Sequence, residues 1–221
     1  MNYPDGTEMV QLVVMARWPS PGRCKRRLAR DLGQTLHLDH ANERAMRIQR
    51  HLTDHTAAVA AEMQTSGELA VLLAVSGLAA KAAQRWGNQL GIGNVRLQGL
   101  GNLGSRLKRQ LLHCRNNGQP CLVIGTDLPE LNANDLRLAI EKLQSSDVVL
   151  GPAKDGGYWL IGIGAGLMQH PQCWPLSGIP WGGADVLQTT LKEAQRQLLS
   201  TELLPQRSDI DQLSDLQQWQ G

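Results

Sequence analysis

Two apolar runs in this chain end in an aspartate set beside glycine. Leu122 to Ile124 leads into GTDLP, which carries Asp127, and Val148 to Leu150 leads into GPAKDGGY, which carries Asp155, Gly156, Gly157 and Tyr158. Each run reads as a buried strand that delivers a carboxylate to its C-terminal tip, the edge of an open α/β sheet where ligands bind. An acid at Asp127 can hold Mg²⁺ or Mn²⁺, ions that take one or two protein carboxylates and complete their shell with substrate phosphates. The same residue can also cap a turn before Pro129. Asp155 sits where two glycines permit a conformation closed to other residues. It is a candidate for acceptor binding, general-base work or a metal contact, and Asp-Gly is equally a hairpin signal. Tyr158 can lend a hydroxyl or only pack.

A third segment, RWPSPGRCKRRL (17–28), runs from a strand into a helix. Gly22 lets the backbone approach a ligand, and the start of a helix offers free N–H groups to an anion. Arg23, Lys25, Arg26 and Arg27 bring positive charge to the same place, which suits a nucleotide diphosphate or triphosphate. A solvated basic helix start is the alternative. The segment is neither a Walker A loop nor GxGxxG. Near the C-terminus, SDIDQL places Asp209 and Asp211 two apart. In an extended segment both project to one face and can add a metal ligand; in a helix-capping turn they do nothing catalytic. His51 and His55 have the i, i+4 spacing of a zinc pair, but HLTDH lacks the glutamate of HExxH and reads as a solvated helical face. No GxSxG elbow supports serine chemistry.

Regular elements must carry these residues. Strands are expected at Met9–Ala16, Leu69–Val75, Val95–Gln98, Leu122–Ile124, Val148–Leu150, Trp159–Ile163 and Ser200–Leu204. Helices are expected at Lys25–Leu32, ended by Gly33 as a C-cap, and at Asn42–Met63, Ala79–Trp86 and Leu103–Cys114. Further helices follow from an Asn132 or Asn134 cap to Leu143, and at Ala184–Leu198 and Leu213–Trp219. Gly164–Gly183 reads as a loop. Alternating strands and helices over the first two-thirds predict βαβ units and a parallel sheet. The step from the fifth strand to the sixth is too short for a crossover helix, so that pair is expected at an antiparallel or mixed edge.

The motifs taken together resemble a known family: the bacterial GT-A-like transferases called radical-SAM-associated transferases or arsenosugar-biosynthesis-type glycosyltransferases. More distant relatives are the molybdenum-cofactor guanylyltransferases and the 2-phospho-lactate guanylyltransferases. RWPSPGRCKRRL, LGSRL, GTDLPEL, GPAKDGGYWLIG, WGGA and DID follow the family's order from Met9 to Leu216, and GPAKDGGYWLIG is the specific part. The resemblance implies a nucleotide-diphospho-sugar transferase fold: a GT-A-like (Rossmann-like) three-layer α/β arrangement, a mostly parallel mixed sheet with helices on both faces. It also implies that Pro21, Gly22, Lys25 and Arg27 meet nucleotide phosphates and that Gly104 and Arg106 border the nucleotide pocket. Asp127 becomes the metal-binding acid, Asp155 with Gly156, Gly157 and Tyr158 faces the acceptor, and Asp209 or Asp211 completes the metal site. Two departures stand out. Arg26 replaces the family's threonine and Arg17 a lysine, and WGGA replaces a motif that ends in small hydroxyl residues.

The expected activity is therefore a metal-dependent, glycosyltransferase-like transfer from a nucleotide or nucleotide-sugar donor to a small-molecule acceptor. A nucleotidyltransferase that releases pyrophosphate, and a non-catalytic nucleotide-binding protein on the same fold, are the alternatives. Bulk properties set the frame. The 221 residues, 42% hydrophobic and 19% charged, suit one globular domain spanning 1–221. A net charge of +2 is too small to call for nucleic acid or an anionic membrane. Four scattered cysteines without a CxxC pair argue against a disulfide frame or zinc knuckle, and with no leader-like N-terminus the reading is a cytoplasmic protein.

Overall fold

The computed structural model describes residues 9–115 and 118–219, with side-chain surroundings defined up to residue 216. Seven strands form one sheet: β1 (Val10–Arg17), β2 (Leu69–Ser76), β3 (Val95–Leu97), β4 (Cys121–Ile124), β5 (Val148–Pro152), β6 (Tyr158–Ile163) and β7 (Thr201–Leu203). Their order is β3-β2-β1-β4-β6-β5-β7. Every neighbouring pair is parallel except β4–β6 and β5–β6, so β6 alone runs against the rest. This is the mostly parallel mixed α/β sheet expected.

Among the described residues eight α-helices accompany the strands: α1 (Arg26–Gln34), α2 (Ala41–Thr65), α3 (Ala80–Gln89), α4 (Leu103–Cys114), α5 (Ala133–Leu143), α6 (Ala165–Met168), α7 (Val186–Arg196) and α8 (Leu213–Trp219). Alternation along the strands sorts side chains into two cores. Leu12, Val14 and Ala16 of β1 pack with Ala57, Ala60 and Met63 of α2, Trp86 of α3 and Leu136 of α5 on one face. Val13 of β1 and Leu72 and Ala74 of β2 pack with Leu107 and Leu111 of α4, Leu167 of α6 and Trp174 on the other. The result is three layers. Sheet interiors covered on both faces require runs that are apolar throughout, which is why Cys121–Ile124 is entirely buried.

Three expectations need correction. The β5–β6 pair is not an edge: β6 is inserted between β4 and β5. Helix α1 does not stop at Gly33 but continues to Gln34. Gly33 lacks a positive φ, and its bare Cα faces Ala41 closely enough that an added Cβ would lie 3.5 Å from the alanine Cβ. The stretch Gly164–Gly183 is not all loop, since it holds α6 and a 3₁₀ turn at Pro171–Cys173. No helix among the described residues is long and apolar enough to cross a membrane.

Strand order reverses at β1, whose two neighbours β2 and β4 lead to opposite halves of the sheet. Such a switch point opens a crevice at the C-terminal strand edge. The loops after β1 and β4 meet there.

Candidate active site

A cavity of about 620 Å³ occupies that crevice. Its walls carry Arg17, Arg23, Lys25, Arg26, Arg27 and Arg106 together with Asp127, Asp155, Asp209 and Asp211. The basic loop and all four predicted acids are thus brought to one place. Gly157 and Tyr158 also line it, whereas Pro21, Gly22, Gly104 and Gly156 do not. Pro21 and Gly22 are exposed on the bend before α1, where Gly22 has φ +70. Gly104 and Gly156 act one step behind the wall. A Cβ on Gly104 would run into the Trp181 indole, and one on Gly156, where φ is +89, would collide with the Ala184 carbonyl. Their smallness lets the WGGA loop close over the site.

Asp127 leaves the end of β4 half-exposed and held from three sides. Lys25 Nζ lies 2.7 Å from its Oδ1, and Gln49 Nε2 on α2 donates to the same oxygen at 3.2 Å. Its backbone carbonyl accepts from Ile210 N–H at 3.0 Å. These contacts occupy one carboxylate oxygen and aim the group. Lys25 also donates to the Ile210 carbonyl, and its side chain is only 3% exposed. It is therefore committed to Asp127 rather than standing free for phosphates.

The segment Asp209–Asp211 lies outside any helix or strand, between the Arg207 bridge and α8. Ile210 is buried against Leu28 and Leu32 of α1 and Leu52 of α2, which turns the flanking acids to the cavity. The two then part company. Asp211 pairs with Arg27 at 3.0 Å. Asp209 keeps company with the other acids. Burial raises its pKa to about 6, the Asp155 and Asp127 charges push the same way, and its own backbone N–H and Lys25 oppose them. The capping acid of the following turn is Asp215, whose Oδ2 accepts from Asp211 N–H at 2.9 Å and Gln212 N–H at 2.7 Å.

Asp155 sits at the mouth of the β5–β6 turn and accepts from Gly157 N–H at 2.8 Å. Tyr158 packs edge-on against Trp181, with ring centroids 6.3 Å apart. Burial pushes its phenol well above the ordinary value, with the Thr190 hydroxyl a smaller opposing influence. Its oxygen has no hydrogen bond of ordinary geometry, so Tyr158 is a packing residue here rather than a hydroxyl presented to a ligand. His55 bonds the Leu131 carbonyl at 2.8 Å, a structural tie between α2 and the segment that follows β4.

Sequence reading missed Gln49, Gln98 and Trp181. Gln98 is buried, and its Nε2 donates to the Ala16 and Ala74 carbonyls at 3.0 and 2.9 Å. That fixes the carboxamide on the β1–β2 side of the cavity. Only Trp181 had a signal, since it opens WGGA.

Among the described residues no three His, Cys, Asp or Glu side chains are arranged to hold a metal ion. The donor set nevertheless fits a hard divalent cation bound in company with phosphate. Asp127 keeps one oxygen free of the Lys25 and Gln49 contacts, and Asp209 is a carboxylate whose ionisation the neighbouring acids oppose. One or two carboxylates suffice when substrate phosphates supply the rest.

Residues 56–183 match the family described as "Uncharacterized protein conserved in bacteria (DUF2064)". No curated protein matches the chain. Among solved structures, the chain is similar to a protein described as a nucleotide-diphospho-sugar transferase from Desulfovibrio desulfuricans G20, with TM-score 0.77 and 27% identity over 95% of this chain and 85% of that one. It is also similar to a Methanothermobacter nucleotidyl transferase, with TM-score 0.60 and 19% identity over 96% and 95% of the two chains. A Mycobacterium tuberculosis protein solved in complex with manganese aligns with TM-score 0.53 and 15% identity over 96% and 97%. The fold is that of the nucleotide-diphospho-sugar transferases, and the first of these likenesses supports the transferase class. The chain belongs to the DUF2064 family.

Proposed function

We propose that this DUF2064 member is a divalent-metal-dependent transferase that takes a nucleotide or nucleotide-sugar donor and a small-molecule acceptor within one domain. The observation that carries the reading is a cavity at the switch point, basic along the loop after β1 and acidic at the tips of β4 and β5. Arg17, Arg23, Arg26 and Arg106 bind the donor's phosphates, with Arg27 steadied by Asp211. The pinned Gln98 carboxamide lines the β1–β2 side, where the base lies. Asp127 and Asp209 hold Mg²⁺ or Mn²⁺, which when bound neutralises charge on the phosphates.

Positioning and fixed charge supply most of the acceleration. The guanidinium groups are already in place around the leaving diphosphate, so little reorganisation accompanies the build-up of negative charge. Asp155, oriented by the Gly157 N–H, binds an acceptor hydroxyl and takes its proton as that oxygen attacks the donor. The loop carrying Trp181 covers the acceptor side and reduces access of water. The replacement of a threonine by Arg26 exchanges a hydroxyl contact for a full positive charge at the phosphates.

Mass spectrometry of the products after incubation with nucleotide sugars and with nucleoside triphosphates tests the reading. Glycosyl transfer releases a nucleoside diphosphate, and nucleotidyl transfer to a phosphorylated acceptor releases pyrophosphate. Asp127→Asn should abolish Mn²⁺-dependent turnover by either route, and an active Asp127→Asn protein would remove Asp127 from the metal site.

A further inference from the structure

We propose that Lys25 is a built-in counter-ion, holding the Asp127 carboxylate and weakening divalent-ion binding until a nucleotide arrives. The inference rests on the reading that Asp127 is a ligand of that ion. Three observations carry it. The Lys25 ammonium lies 2.7 Å from Asp127 Oδ1 while its side chain is 3% exposed, against 48% for Asp127. The cation is thus almost wholly covered and lies against a half-exposed carboxylate in the cavity wall. Its second partner is the carbonyl of Ile210, between the two late acids, so one ammonium ties the GTDLP loop to the Asp209–Asp211 segment. Lys25 also adopts a left-handed backbone conformation, φ 46 and ψ 46, at the start of α1. A lysine persists there only when its surroundings over-determine it.

A carboxylate already compensated by one cation attracts a second cation less, because the two positive charges repel across a few ångströms of poorly screened space. Gln49 donates to the same oxygen but adds no net charge, so it orients Asp127 without this penalty. Among the described residues no three acids are arranged to hold the ion by themselves against that repulsion. Nucleotide phosphates change the balance twice over. They supply further oxygen ligands, and their negative charge offsets the ammonium. By linkage the ion and the nucleotide then each raise the other's affinity.

The test uses Mn²⁺ alone, titrated calorimetrically into the full chain without nucleotide. Lys25→Gln keeps a donor and removes the charge, Lys25→Met removes both, and Lys25→Arg keeps the charge. Lys25→Gln or Lys25→Met should bind Mn²⁺ at least about tenfold more tightly than the parent, equivalent to about 1.4 kcal/mol. Lys25→Arg should bind as the parent does, and Gln49→Leu should show no tightening. If folded Lys25→Gln and Lys25→Met bind Mn²⁺ no better than the parent, the counter-ion role is overturned. Asp127→Asn separates the two layers. Unchanged Mn²⁺ binding in that variant removes the metal reading itself, whereas lost binding there with no gain in the Lys25 variants removes only this inference.

Discussion

Asp209 should make the protein less stable at neutral pH than in mild acid, and Asp209→Asn should reverse this. Its pKa stands at about 6 in the folded chain against an ordinary 3.8, chiefly through burial and then through the Asp155 charge. A folded-state pKa raised above the unfolded one means that folding favours the protonated acid. The stabilisation is fully present below pH 3.8 and is lost as the pH rises through about 6. For a fully buried group the gap would amount to about 3 kcal/mol. Asp209 is only partly buried, and screening by solvent reduces the expected effect to about 1 kcal/mol.

Urea denaturation of parent and Asp209→Asn chains at pH 4 and pH 8 measures this directly. At pH 8 the variant should be more stable by about 1 kcal/mol, or about 2–4 °C in Tm for a chain of this size. At pH 4, where the folded parent already carries a proton on Asp209, the difference should nearly vanish. Mn²⁺ at pH 8 should stabilise the parent more than the variant, because the ion supplies the missing positive charge and binds only the folded state. A variant that is no more stable than the parent at pH 8, or that differs equally at both pH values, would refute the claim that burial and the neighbouring acids disfavour the charged form of Asp209.

Three other perturbations follow from the geometry. Gly156→Ala must hold a side chain at φ +89 against the Ala184 carbonyl; chemical denaturation should show a loss of at least about 2 kcal/mol, and a neutral result would mean the turn has another conformation. Gly104→Ala should expel Trp181 from its place over α4, cost about 1–3 kcal/mol and shift tryptophan emission to the red. Gln49→Leu deletes a neutral hydrogen bond to Asp127 Oδ1; kcat should fall about tenfold, consistent with the worth of one bond to a charged group, while the far-ultraviolet circular dichroism stays that of the parent.

What could be read from the residues and what could not divides along a physical line. Strand tips and their acids were legible because a sheet covered on both faces demands unbroken apolar runs, and the chain turns polar where such a run reaches the edge. Asp127 and Asp155 are the first acids after those two runs. Strand order was not legible, because the pairing of β6 with β4 is a choice among tertiary partners and leaves no mark on Trp159–Ile163 itself. The α1 terminus was misread for a related reason. Glycine inside a helix costs about 1 kcal/mol relative to alanine, yet α1 carries Gly33 without a positive φ and runs on to Gln34. The same reasoning covers the charges. Sequence can count Lys25 among the basic residues of the first loop, yet its function depends on where its ammonium finishes. In the folded chain it finishes on Asp127, 102 positions further along, beneath a carboxylate that Gln49 reaches from 78 positions before it. On the reading proposed above, phosphate binding falls to the arginines of the cavity wall, while the Lys25 ammonium sits on the acid.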